Sequence, residues 1–195
     1  MQKYIKIPIF FLCLLPIFII FYQIIFNQLG PEPIKHITHV TGEWTLRFII
    51  ITLAMTPLQR FTKLNFWISY RRMFGLFVFF YASTHLMIYV GLDYRFDLSS
   101  IGDDIIKKKY IFVGFLAWFL LVPLALTSSN RIIRFLKDKW KKLHKLIYLI
   151  ALLGIIHFLW LVKVITVEPL IYLLIIISLL ILRIKLKNNK IITKN

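Results

Sequence analysis

Six long apolar segments separated by polar stretches dominate this sequence of 195 residues. Most of these segments are close to the length of about 20 residues that an α-helix needs to cross a bilayer, although the second is shorter. Because 59% of the residues are hydrophobic, a soluble domain of this size could not bury the apolar surface. The sequence therefore predicts an all-α integral membrane protein, folded as a six-helix bundle. The predicted spans are residues 7–26, 44–58, 72–91, 110–127, 144–162 and 168–184.

The Lys and Arg residues are sorted between alternate polar stretches. Of the 25, 18 lie at the N-terminus, in 60–72, in 131–145 and in 183–194, whereas the other stretches hold seven of the eight acidic residues. Cytoplasmic loops of membrane proteins are enriched in Lys and Arg, so both termini are predicted to be cytoplasmic. The net charge of +17 is thus explained by membrane topology, and nucleic-acid binding is not expected.

The predicted spans divide the chain into three regions. Residues 1–40 are expected to form a transmembrane anchor with an outer loop, 41–163 the core, and 164–195 the last span with a basic cytoplasmic tail. The first span is interpreted as a retained anchor because no small-residue cleavage site follows it. The sequence has one cysteine, Cys13, and no nucleotide-binding motif. Any electron donor or acceptor is therefore expected to be a separate molecule.

Two histidines lie deep inside predicted spans, where no water can satisfy an imidazole. His85 follows Arg72 by thirteen residues in the third span, and His157 follows His144 by thirteen in the fifth. Because these two spans run in the same direction, His85 and His157 are predicted to lie at one depth, toward the outer face. Such a pair could hold a haem iron from both sides within a four-helix core. The alternative is that each histidine hydrogen-bonds a neighbouring helix and stabilises packing.

Four other polar residues are candidates for cofactor binding. His144 lies about 20 Å further in than His157 and is flanked by lysines, so it is either a ligand of a second cofactor or an interfacial residue. Arg47, near the outer end of the second span, either pairs with a haem propionate or reaches the lipid headgroups. Arg71 and Arg72 are predicted to anchor the inner face, where they could also hold a phosphate or propionate.

Several stretches of the sequence resemble the motifs of one known family. They are TGEWTLRFIIITLAMTPL from Thr41, YRRMFGL followed by His85, KKKYIFVGFLAWFLLVPLALTS from Lys107, and the segment with W-x-x-L-H and H-F-L-W from Lys139. In this order, over about residues 41–163, they are similar to the MsrQ family of haem-binding membrane subunits, within the ferric-reductase-like transmembrane group. The resemblance implies haem b and FMN as cofactors, and His85, His144 and His157 as the haem ligands.

The same resemblance implies an electron-transfer subunit of a bacterial inner membrane, which does not itself reduce methionine sulfoxide. Electrons would come from the quinone pool or a cytosolic flavin reductase. They would pass to MsrP, a periplasmic molybdopterin enzyme that reduces methionine sulfoxide in proteins. Two alternatives stay open at this point. One is a stand-alone cytochrome b type ferric or quinone-linked reductase, and the other is a haem-free membrane scaffold or transporter.

Overall fold

The computed structural model describes residues 2–162 and 167–192, with side chains for 5–162 and 167–185. Throughout these ranges the chain is helical, with one short π-helix and no strand, which confirms the all-α prediction. Residues 163–166, where the predicted core meets the predicted last region, and residues 193–195 lie outside the described residues. The helices are α1 (Gln2–Ile25), α2 (Pro33–Thr62), α3 (Phe66–Ile88), the π-helix (Tyr89–Asp93), α4 (Leu98–Lys107), α5 (Lys109–Leu126), α6 (Asn130–Leu136), α7 (Asp138–Leu143), α8 (Leu146–Leu161) and α9 (Val167–Ile192).

Five stretches among the described residues are long and apolar enough to cross a membrane. The remaining predicted span, 44–58, lies in α2, which has 30 residues and extends about 45 Å, so the helix itself is not short. Its central part carries Glu43, Arg47 and several threonines, and these residues make it more polar than the other candidates. Six membrane crossings therefore stay a prediction. The five candidate spans are Ile5–Ile25, Phe66–Asp93, Lys109–Leu126, Asp138–Leu161 and Val167–Lys185.

Four helices surround the centre of the described structure. α2 packs along α3 and α5 packs along α8, while smaller contacts join α3 to α5 and α2 to α8. In this ring α3 and α8 are diagonal neighbours, so their side chains meet across the centre. α9 covers α2 and α8, and α1 lies against α3 and α2. Large side chains that are almost completely buried fill the interior; they include Phe48, Leu53, Tyr81, Ile150 and Ile155.

The segment between α3 and α5 forms a polar cap at one end of the ring. The side chain of Asp97 caps α4 by accepting hydrogen bonds from the backbone N–H groups of Ser99 and Ser100. Asp104 accepts hydrogen bonds from the Lys108 ammonium, at 2.6 Å, and from the Tyr94 hydroxyl. These two donors lower the pKa of Asp104. The cap therefore ties the π-helix, α4 and the start of α5 together.

The fifth predicted span, 144–162, corresponds to α8, and a two-residue turn at His144 and Lys145 separates α8 from α7. The backbone N–H and the ring Nδ1 of His144 both lie close to the Trp140 carbonyl, at 3.0 and 3.2 Å. The next N–H, of Lys145, donates to the carbonyl of Lys142, three residues back. This tighter turn interrupts the α-helical pattern, and α8 starts with Leu146.

The predicted orientation can be tested with reporter fusions. A fluorescent protein fused after Asn195 should be fluorescent, and alkaline phosphatase fused there should be inactive, because that enzyme needs an oxidising compartment. Insertions next to Ser100, in the polar cap, should give the opposite result. The measurement is the activity of each fusion in intact bacteria, normalised to its amount. The reverse pattern would overturn the assignment of the inner and outer faces.

Candidate functional site

The side chains of His85 on α3 and His157 on α8 meet across the centre of the helix ring. Their ring centres are 6.2 Å apart, and the ring planes are inclined at 87°. A ligating imidazole nitrogen lies about 2 Å from its metal, with the ring centre roughly 1 Å further, so two rings on opposite sides of one ion have centres about 6 Å apart. The observed separation therefore suits one metal ion held between the two rings.

Both histidines are oriented by backbone carbonyls of the neighbouring helix. Nδ1 of His85 lies 2.9 Å from the Thr38 carbonyl on α2, and Nδ1 of His157 lies 2.7 Å from the Tyr110 carbonyl on α5. A carbonyl only accepts hydrogen bonds, so each Nδ1 carries the proton. The lone pair of each neutral ring is then on Nε2, the nitrogen available to a metal.

Two glycines allow the neighbouring helices to approach the imidazoles closely. A Cβ atom on Gly114 would lie 2.7 Å from Nδ1 of His157 and 2.8 Å from its Cε1, which is closer than atoms can pack. A Cβ atom on Gly42 would lie 3.2 Å from the same two atoms of His85. Any larger residue at position 114 would therefore displace the His157 ring or the helix that faces it.

The two halves of this site repeat the same arrangement along the chain. In each half the residue whose carbonyl accepts the hydrogen bond precedes its histidine by 47 residues. The glycines, Gly42 and Gly114, each lie four residues after that carbonyl. The helix pair α2–α3 and the helix pair α5–α8 thus present their histidines in the same way. The repetition places two equivalent imidazole rings next to each other in the centre of the ring.

Arg47, expected near a propionate or the headgroups, has partners within the protein. Its Nε donates to the Tyr172 hydroxyl at 2.9 Å, and its Nη2 pairs with the Glu43 carboxylate at 2.8 Å. The guanidinium also lies 4.9 Å from the centre of the Trp44 ring. Arg47 therefore links α2 to α9 and has an anionic partner, while its role toward a propionate stays a prediction.

The remaining candidates lie at the opposite end of the ring. The ring of His144 stacks on Trp140, with centres 3.9 Å apart. Arg72 is exposed and donates a hydrogen bond to Asn130, whereas Arg71 is partly buried. The structure does not bring His144 or these arginines to the paired histidines in the centre of the ring. Their roles in cofactor binding stay predictions.

Comparison with known proteins agrees with this architecture. The family described as "Ferric reductase like transmembrane component" matches residues 41–155. A protein-methionine-sulfoxide reductase heme-binding subunit MsrQ from Xanthomonas euvesicatoria pv. vesicatoria is 51% identical over 146 residues, which are 75% of this chain and 67% of the relative. The chain belongs to the MsrQ family. The MsrQ protein of Polaromonas naphthalenivorans is 48% identical over 153 residues, 78% of this chain and 70% of the relative. No solved structure shows significant similarity.

The MsrQ resemblance predicted from the motifs is therefore confirmed, while the residues that orient the histidines had not been predicted. Thr38, Tyr110, Gly42 and Gly114 all act on the imidazoles from neighbouring helices. One signal in the sequence could have found the glycines, because each precedes its histidine by 43 residues. The two carbonyls leave no such signal, since every residue carries one.

Proposed function

We propose that this chain is a haem b electron-transfer subunit of a methionine sulfoxide reductase system in a bacterial inner membrane. The observation that carries the proposal is the pair of neutral imidazoles, His85 and His157, with ring centres 6.2 Å apart and both Nδ1 protons bound to carbonyls. Relatives of about 50% identity carry the name of heme-binding subunits, which agrees with this assignment.

Haem suits the residues present better than a bare metal ion does. Among the described residues no group of three or more His, Cys, Asp and Glu side chains could hold a metal ion. A haem iron takes four nitrogens from its porphyrin and needs only two axial ligands from the protein. His85 and His157 would supply these two, and Gly42 and Gly114 leave room beside them. Haem would supply a one-electron redox centre when bound.

Residues of the chain itself set the tautomer of the two imidazoles and the polarity of the surroundings of such a redox centre. The carbonyls of Thr38 and Tyr110 hold the two rings in one tautomer, and hydrogen bonds of this kind raise the basicity of a ligating imidazole. The helices around the two rings are apolar, and surroundings of low polarity favour the less charged state of a metal centre. We further propose FMN at the end that carries His144 and Arg71, with the quinone pool or a cytosolic flavin reductase as donor and periplasmic MsrP as acceptor.

The proposal predicts which reductants the purified protein accepts. The protein should show a reduced haem b spectrum with a quinol, or with NADPH plus a flavin reductase, but not with NADPH alone, because its sequence has no nucleotide-binding motif. Absorption spectra under anaerobic conditions measure this. Reduction by NADPH alone would contradict the conduit and favour a self-contained reductase, and the absence of any haem spectrum would favour the haem-free scaffold or transporter.

A second measurement separates the conduit from a stand-alone reductase. If the chain serves MsrP, the reduced protein should be reoxidised rapidly when MsrP and an oxidised methionine peptide are added together. MsrP inactivated at its molybdenum centre is the control. A stand-alone reductase should instead transfer electrons directly to a ferric chelate and show no response to MsrP.

A further inference from the structure

The surface of α4 carries an apolar stripe that the described part of the chain leaves uncovered. Leu98 and Ile106 are 76% and 83% exposed. Gly102, between them, faces open space, because a Cβ atom built there has no neighbour within 4 Å. Residues four apart along a helix lie on one face, so Leu98, Gly102 and Ile106 form one continuous strip, which we call the α4 stripe.

The other sides of α4 face either the protein or water. Ile101 is buried, and α4 packs against α5. On the charged side of the helix, the exposed side chains of Asp103 and Lys107 pair at 2.5 Å. Successive helix residues are about 100° apart around the axis, so the α4 stripe lies between the side that carries Ile101 and the side that carries this ion pair.

Each end of α4 is tied to a candidate membrane span. Residues 94–97 join it to the span Phe66–Asp93, and Lys108 alone separates it from the span Lys109–Leu126. Four residues extend over about 14 Å at most. The helix therefore has to lie close to the membrane surface, at the place where these two spans leave the bilayer.

A phospholipid surface fits the stripe better than a protein partner does. Helices of this kind lie in the plane of the membrane, with the apolar face buried and the charged face in water, and Phe96, 66% exposed, adds an aromatic side chain just before α4. Three large apolar side chains expose at most roughly 600 Å². A standard protein interface needs about 800 Å² from each partner.

We propose that α4 is an interfacial helix whose stripe, extended by Phe96, lies among the lipid headgroups at the end of the ring that carries the polar cap. The boundary between apolar and polar lipid regions holds the stripe, so no particular headgroup is needed. Because α4 leads directly into α5, this contact also fixes the start of α5, where Tyr110 supplies the carbonyl that orients His157. The placement holds whichever side of the membrane carries the cap, and whether or not haem is bound.

The test places a fluorescent probe on each side of α4 in the full chain. The variants Leu98→Cys and Ile106→Cys on the stripe, and Asp103→Cys on the charged side, are labelled with the environment-sensitive dye NBD. Wild-type protein, whose single cysteine is buried, measures background labelling. Phe119→Cys, at an exposed position within the span Lys109–Leu126, is the lipid-facing control. Each protein is reconstituted in phosphatidylcholine vesicles, and quenching by nitroxide-labelled lipid is compared with quenching by iodide present on both sides.

The probes at positions 98 and 106 should lose most of their fluorescence to the nitroxide lipid and little to iodide. Nitroxides at different positions along the acyl chain should place them about 5–10 Å below the headgroup surface, shallower than the probe at position 119. The probe at position 103 should show the reverse sensitivity. If iodide quenches position 106 as strongly as position 103, the stripe faces water and the placement is wrong. If position 106 is shielded from iodide but does not respond to the nitroxide lipid, a protein surface covers the stripe, and the lipid contact is equally excluded.

Discussion

Replacing His85 by alanine should abolish the low-spin haem spectrum of the purified protein. Alanine supplies no ligand, so one face of the iron would be left open and the remaining haem would be five-coordinate and high-spin. The measurement is the absorption spectrum of the oxidised and reduced protein, with haem content from the pyridine haemochrome assay. His36→Ala, a change of the same kind at a histidine in the first turn of α2 that is not one of the paired rings, should keep the spectrum.

Chemical rescue makes this result specific to ligation. In the His85→Gly variant, added imidazole can enter the space of the lost side chain and bind the iron, so the low-spin spectrum should return. A variant that has merely misfolded would not respond to imidazole. If His85→Ala keeps a wild-type spectrum and haem content, His85 is not a ligand, and the pairing of His85 with His157 has a packing role only.

The second large effect is expected at a residue that carries no functional group. In Gly114→Ala the new methyl group would lie 2.7 Å from Nδ1 of His157, so the ring must shift and its hydrogen bond to the Tyr110 carbonyl must break. Loss of a partner that orients a ligand typically weakens metal binding about 10- to 100-fold. We expect a decrease of that size in haem affinity, measured by titrating haem into the apoprotein.

Two other glycines provide graded controls for this prediction. In Gly75→Ala the methyl group would lie 4.0 Å from the nearest atom, on Thr52, so haem affinity should be unchanged. In Gly42→Ala it would lie 3.2 Å from His85, and a smaller loss than that of Gly114→Ala is expected. Equal affinities for Gly114→Ala and Gly75→Ala would show that His157 does not need its present position for haem binding.

The orientation of both imidazoles rests on main-chain carbonyls, so it does not require a particular side chain on the residue that supplies the carbonyl. Threonine supplies the carbonyl for His85 and tyrosine supplies it for His157. What the two halves share is the register: a carbonyl, a glycine one turn later, and a histidine on the helix that follows. Substitutions that keep the backbone in place, such as Thr38→Val, should therefore leave the site intact, whereas those that move the backbone should not.

Part of the site was accessible from the sequence because it depends on distance along single helices. The rise of an α-helix is constant, so thirteen residues after Arg72 and after His144 define one depth for His85 and His157. The structure brings the two rings together, as this reasoning predicted. It did not predict the turn at His144 and Lys145, where the Lys145 N–H donates to the carbonyl three residues back, because periodicity does not encode such a local change in hydrogen bonding.

The sequence by itself determined the all-helical class, the sorting of charge along the chain, and the equal thirteen-residue offsets that predict one depth for the paired histidines. These properties follow from composition and from the fixed geometry of a helix. Only the tertiary structure decided which helices lie diagonally across the ring and which carbonyls orient the imidazoles. It also decided that the Arg183 guanidinium donates to the carbonyl of Leu53, 130 residues away along the chain. That carbonyl has no partner within α2 because Pro57 lacks an N–H. Such contacts arise from the packing of one helix against another. Any accessible backbone N–H or carbonyl can serve as the hydrogen-bond partner, so the pattern of residue types does not identify which one is used.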